Sequence, residues 1–282
     1  MTVARVLRTY PAGVPCWVDL EVEDTGAAQD VYGRLLGWSF TEAMPPGAPG
    51  SYLVATLDGQ DVAAVGSPDM GRAPAWSTYV AVDDADATAR AVVEAGGAVT
   101  AGPADAGPGG RAVACSDPQG VPFRLWQARR RLGAQLVNVP GAWNFSDLVT
   151  ADVDAALAFY RPLFGWRAAP LWEGGDPMLS VPGYGDHLAA TVYPDIHEQQ
   201  SFAPEDFADV VGGVVPAGTN GDDHARWRVT VGVADRDEAV TTAERLGFLV
   251  LRTAERTFAR TADLRDPFGA ELSLSQFTPP TG

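Results

Sequence analysis

Two acids, Asp19 and Glu21, alternate with apolar residues in the run Cys16-Trp17-Val18-Asp19-Leu20-Glu21-Val22. Every second side chain of an extended strand shares a face, so Trp17, Asp19 and Glu21 line up together. Paired carboxylates on one face are candidates for general acid–base work. The plainer role for a buried acid is to accept backbone hydrogen bonds or to pair with an arginine. The pattern recurs as Phe145-Ser146-Asp147-Leu148-Val149, with Asp147 in the place of Asp19. Few other reactive groups are available. Cys16 and Cys115 stand alone in apolar runs without a C-x-x-C pair, which reads as two reduced, buried thiols. The three histidines, His187, His197 and His224, are spread out and read as separate surface residues. All 20 basic residues are arginine. The absence of lysine removes Schiff-base and P-loop lysine chemistry.

The 282 residues carry a net charge of −16. Phosphate backbones need a basic face, so nucleic acid is not an expected partner. No window approaches 18 consecutive apolar residues, and the first residues lack the apolar core of a secretory signal. No membrane association is expected, and a cytoplasmic location is. The richness in Ala, Gly, Pro and Arg suggests a GC-rich bacterial genome.

The elements that position these residues are written twice. Asp19, Asp24, Tyr32 and Gly37-Trp38 recur as Asp147, Asp152, Tyr160 and Gly165-Trp166, all at one offset. The stretch from Trp76 matches that from Trp227, and Asp117-Pro118-Gln119-Gly120 matches Asp266-Pro267-Phe268-Gly269. Residues 184–191 resemble 58–65 and are read as the same strand. A fixed long-range repeat decides the architecture before local propensity does. Each copy divides again into strand, helix and three strands. Asp24 and the Asp83-Asp84 pair offer N-cap oxygens, while Gly37 and Gly96-Gly97 stop the helices. The expected layout is domain 1 over 1–130, a linker over 131–142 and domain 2 over 143–282. An insertion at about 194–225 reads equally as a lid over a pocket mouth or as a surface loop.

The Asp24…Tyr32…Gly37-Trp38 pattern, Val82-Asp83-Asp84, Gly96-Gly97 and Asp117-Pro118-x-Gly120, with their counterparts, resemble the vicinal oxygen chelate superfamily. That superfamily holds glyoxalases, bleomycin-resistance proteins and extradiol dioxygenases. The resemblance covers nearly the whole chain. It implies an α+β fold of two tandem domains, each of two βαβββ modules forming a half-open mixed sheet around a cavity. Tandem fusion lets one chain make the contacts of dimeric relatives, so a monomer or a homodimer is expected.

The resemblance also marks where metal ligands belong. The first-strand position holds Trp17 in copy one and Phe145 in copy two. The second holds Ser77 or its neighbour Trp76, matched by Arg228 or Trp227. The third holds Arg124, matched by Ser273. Indole and guanidinium are not metal ligands, so neither a metal nor any other cofactor is expected. What remains is a cavity with Asp19, Glu21 and Arg124 as acid, base and anion holder, and with Trp17, Trp76, Ser77 and Trp126 as ligand contacts. Copy one is expected to hold the working pocket, because the matching face of copy two is mostly apolar. The expected partner is a planar or hydrophobic small organic molecule, bound as in drug sequestration or resistance. The alternative is a metal-independent isomerase, cyclase or lyase of a secondary-metabolite pathway.

Overall fold

The computed structural model describes residues 6–68, 73–171, 177–201, 203–204, 206–218, 224–256 and 258–278. Copy one runs β1 (Pro15–Glu21), α1 (Thr25–Leu36), β2 (Ser39–Glu42), β3 (Tyr52–Leu57) and β4 (Gln60–Gly66). It continues with β5 (Ala75–Ala81), α2 (Ala85–Glu94), β6 (Ala98–Ala106), β7 (Gly110–Ser116) and β8 (Pro122–Ala128). Copy two begins with β9 (Trp143–Thr150), α3 (Val153–Phe164), β10 (Arg167–Pro170) and β11 (Pro177–Ser180). Two added helices follow, α4 (Tyr184–Thr191) and α5 (Ile196–Gln199), before β12 (Val210–Pro216). Its second module is β13 (Arg226–Gly232), α6 (Arg236–Arg245), β14 (Leu249–Glu255), β15 (Ala259–Arg265) and β16 (Glu271–Phe277).

The strands form two eight-stranded mixed sheets of identical topology, β2-β3-β4-β1-β5-β8-β7-β6 and β10-β11-β12-β9-β13-β16-β15-β14. Neither closes into a barrel. The fold is α+β with two tandem copies, as the repeat predicts.

The repeated motifs have visible causes. Asp24, Asp84, Asp152 and Asp235 each accept a hydrogen bond from a first-turn backbone N–H, at 2.8 to 2.9 Å. Gly37 and Gly165 end α1 and α3 with φ of 75° and 69°, where a side chain would be strained. The alternation in β1 puts Trp17, Asp19 and Glu21 on one face, and all seven residues of the strand are buried. The strand lies in the middle of its sheet, and its polar-bearing face is covered as well as its apolar one.

The reading of 184–191 as a strand is overturned, because these residues form α4. Tyr184 and Leu188, four apart, place their rings and methyls in the core together. The Asp209 carboxylate accepts from Gly183 N (3.0 Å) and Gly185 N (2.8 Å), which fastens the start of the helix. The strand role falls to Val210–Pro216, a continuous apolar run that pairs in parallel with β9. The added segment therefore lies between the third and fourth strands of its module. Residues 202, 205 and 219–223 of the expected insertion lie outside the described residues.

By packing, the chain divides into two compact units that cut across the copies. One is built from described residues of Met1–Cys16, Tyr79–Gly133 and Ser146–Trp227; the other from Trp17–Thr78, Ala134–Phe145 and Arg228–Gly282. Each unit joins one module of the first copy to one of the second. In the first unit α2 packs with α3, and Phe123 of β8 meets Phe159, Tyr160 and Phe164 edge-on at 5.5 to 6.1 Å. In the second unit α1 packs with α6, and Tyr32 meets Trp38, Trp76 and Phe248 at 5.6 to 5.8 Å. Such aromatic pairs add about 0.5–1.5 kcal/mol each beyond the area they bury.

Candidate functional site

Each compact unit carries part of the expected site. In the unit that holds Trp17, the pleat of β1 separates Val18 and Leu20 from Trp17, Asp19 and Glu21. Trp17 is 8 % exposed, Asp19 2 % and Glu21 8 %, so all three functional candidates are buried. The Trp17 indole N–H donates to the Tyr52 hydroxyl at 3.0 Å, and that hydroxyl donates to Asp19 Oδ2 at 3.1 Å. The direction of this chain is fixed at its start, because indole nitrogen only donates. Asp19 thus receives a proton-bearing hydroxyl and acts as the acceptor. Tyr52 is held by backbone geometry. It pairs in register with Gly66, which pairs on its other side with Glu21. A Cβ on Gly66 would lie 2.9 Å from the Tyr52 ring, so glycine is what lets the ring lie flat there.

In the other unit, Tyr79 of β5 and Arg124 of β8 are direct cross-strand neighbours. The Arg124 guanidinium lies over the Tyr79 ring, 5.5 Å from its centroid. Trp126, two residues on and on the same face, meets Tyr79 edge-on at 6.4 Å. Its indole N–H donates to the Arg131 carbonyl at 2.9 Å. Gly110 leaves room for this indole, since a Cβ there would lie 2.6 Å from the ring.

Trp76, expected among the ligand contacts, points to the helix-covered face with Thr78 and Val80. Its indole N–H donates to the Tyr32 hydroxyl at 3.3 Å, and its ring packs on Tyr32 and Trp38. The cause is the two-residue period of β5, which leaves the other face to Ser77 and Tyr79. Ser77 is half-buried there. Asp19, Glu21 and Ser77 belong to one unit, and Arg124 and Trp126 to the other. Tyr52 and Tyr79 were missed as partners of Asp19 and Arg124; strand alternation through 52–57 and 75–81 is the signal that finds them.

The repeated Tyr and Asp motifs are structural. Tyr160 donates to Asp117 Oδ2 at 3.3 Å and accepts from Trp227 Nε1 at 3.4 Å. Tyr32 donates to Asp266 Oδ2 at 2.8 Å and accepts from Trp76. The other oxygen of each aspartate accepts two backbone N–H groups of its own turn, at 2.8 to 2.9 Å. Each triad ties a helix of one copy to a turn of the other within one unit. Burial raises both carboxyls above the usual range, against the pull of the backbone donors. Burial likewise lifts both tyrosine hydroxyls and the Cys16 thiol, and pushes Cys115 up to about 12. Neither cysteine is a thiolate nucleophile near neutral pH.

The donor set does not fit a divalent metal. Trp17 spends its N–H on Tyr52, and Arg124 presents a cation where a ligand lone pair would be required. Among the described residues no three His, Cys, Asp or Glu side chains converge as a ligand set. Among the same residues no helix is long and apolar enough to cross a membrane.

The model of the Glyoxalase/Bleomycin resistance protein/Dioxygenase superfamily matches residues 16–125 and 143–274, one span in each copy. The chain belongs to this superfamily. Full-length relatives in the superfamily include CFP32 of Mycobacterium tuberculosis, provisionally named a glyoxylase, at 34 % identity over 96 % of this chain and 97 % of that one. Another is the anthracycline biosynthesis protein DauV of Streptomyces sp. (strain C5), at 32 % identity over 94 % of each chain. Among solved structures, a Mn(II)-bound glyoxalase from Novosphingobium aromaticivorans matches with a TM-score of 0.58 at 15 % identity, covering 94 % of this chain and 82 % of that one. A catechol 2,3-dioxygenase matches with a TM-score of 0.55 at 14 % identity, over 96 % and 90 %. At such identities these two show that the superfamily fold is shared.

Proposed function

We propose that this glyoxalase-like protein binds a planar, hydrophobic small organic molecule through its first copy, without a metal. The observation that carries the reading is the buried Trp17–Tyr52–Asp19 chain, which stands where the resemblance expects a metal ligand. It offers two aromatic faces and one fixed acceptor. In its other unit the same copy holds a separate cluster of two rings and a cation, Tyr79, Trp126 and Arg124. Aromatic walls with a few convergent polar groups suit a polycyclic aromatic compound. A relative named for anthracycline biosynthesis supports the same class. A thermal-shift screen tests the reading, with an anthracycline, its aglycone and other planar aromatics, each with EDTA and with added manganese or zinc. Stabilisation by an aromatic compound in EDTA is the expected result; a ligand at a hundredfold excess over its Kd adds about 2.7 kcal/mol. Stabilisation only when metal is added would overturn it.

A second reading is favoured by the Tyr52 hydroxyl on Asp19. A carboxylate held by a phenol beside a second buried acid, Glu21, is an acid–base device. In that reading Asp19 and Glu21 move protons, in an isomerase, cyclase or lyase of secondary metabolism. Turnover of the bound aromatic compound, lost in Asp19→Asn with binding retained, distinguishes it from sequestration.

A further inference from the structure

The second module of copy two carries a row of polar side chains, half of which, Asp263 and Arg252, has no polar counterpart in copy one. Thr230 of β13 is the direct cross-strand neighbour of Ser273 of β16. Ser273 is in turn opposite Asp263 of β15, and Asp263 opposite Arg252 of β14. The four lie side by side across four adjacent strands. They are on the sheet face opposite Val229, Leu264, Leu272 and Leu274, which are all buried. The Ser273 hydroxyl donates to Asp263 Oδ1, and Arg252 donates through Nε (2.9 Å) and Nη2 to Asp263 Oδ2. These contacts correct the expectation that the face is mostly apolar.

Copy one provides an internal control. Its matching row is Tyr79, Arg124, Ala114 and Ala101, in the same register. The fold therefore accepts alanine where copy two places Asp263 and Arg252. A partly buried ion pair gives no dependable stability over apolar residues in its place. The row is thus not explained by the needs of the fold. It is also within reach of solvent, since the Asp263 and Arg252 side chains keep 13 % and 25 % of their exposure.

We propose that this row is a second binding site, distinct from the aromatic one, for a neutral hydroxyl-rich group such as a sugar ring. The charge pattern selects the class. An anion would meet Asp263, and a cation would meet Arg252. A hydroxyl both donates and accepts, so a polyol satisfies carboxylate, guanidinium, Ser273 and Thr230 together.

Saturation-transfer difference NMR on the full chain tests this, with glucose, methyl glucoside and myo-inositol as probes and inorganic phosphate as a competitor. The expected result is saturation transfer to at least one polyol, at least tenfold weakened in Ser273→Ala and in Arg252→Met, unchanged in Trp126→Phe, and not displaced by phosphate. Ser273→Ala removes one oxygen from a β-strand, and Arg252→Met alters a partly exposed residue; circular dichroism confirms that both fold. Silence of all three polyols on the parent chain, a parent-level signal in either variant, or displacement by phosphate would each overturn the assignment.

Discussion

Removing the Tyr160 hydroxyl tests whether the repeated tyrosine is a structural tie or part of a reaction site. In Tyr160→Phe the ring keeps its packing against Phe123, Phe159, Trp166 and Trp227. What is lost is one donor to the buried Asp117 carboxylate and one acceptor for the Trp227 indole. A hydrogen bond to a charged group is worth about 1.5–3 kcal/mol, and a long neutral one less than about 1 kcal/mol. The backbone donors of Gln119 and Val121 remain, so Asp117 is not stripped bare. The expected cost is about 2–4 kcal/mol, or roughly 4–16 °C in Tm for a chain of this size. Differential scanning calorimetry at pH 7 reads it, and affinity for an aromatic ligand at 20 °C should be unchanged. Tyr32→Phe should cost a similar amount in the other unit, through Asp266. A Tm within 1 °C of the parent, or lost binding with stability retained, would refute the structural assignment.

Further outcomes follow from the same geometry. Asp24→Ala and Asp152→Ala each remove an N-cap acceptor and should each cost about 1 kcal/mol in chemical denaturation, additively. Burial raises the Asp117 carboxyl in the folded state, so its protonated form stabilises the fold; that contribution is full below about pH 4 and is lost as pH rises through the raised folded value. Relative to Asp117→Asn, the parent should therefore lose stability as pH climbs from 4 through that value, and then track the variant in parallel. Gly66→Ala should weaken aromatic-ligand binding by pushing the Tyr52 ring away from its place, an effect that circular dichroism separates from unfolding.

The architecture was readable because its signals are local and written twice. Asp24 and Asp152 cap helices, Gly37 and Gly165 stop them, and the shared offset fixes the tandem order. The Tyr32 and Tyr160 roles were not readable, since their aspartate partners lie 234 and 43 residues away in the other copy. The face that Trp76 occupies was hidden for a different reason. A one-residue step along a strand exchanges faces, and sequence likeness does not resolve a step that small between Trp76 and Ser77. The strand reading of 184–191 failed because a short Ala-rich likeness to 58–65 outweighed the Pro182-Gly183 break and the four-residue spacing of Tyr184 and Leu188. Alternation alone puts Trp17 and Asp19 on one face, while Tyr52 sits on a separate strand and only the folded sheet joins it to them.

The most direct test of the central claim is the dissociation constant of an anthracycline aglycone, measured by tryptophan fluorescence in EDTA for four variants. Asp19→Asn and Arg124→Ala change polar groups of the first copy; Asp147→Asn and Ser273→Ala change the matching positions of the second. The account predicts at least tenfold weaker binding in the first pair and unchanged binding in the second. Equal losses in both pairs, or a loss confined to Asp147→Asn and Ser273→Ala, would contradict it.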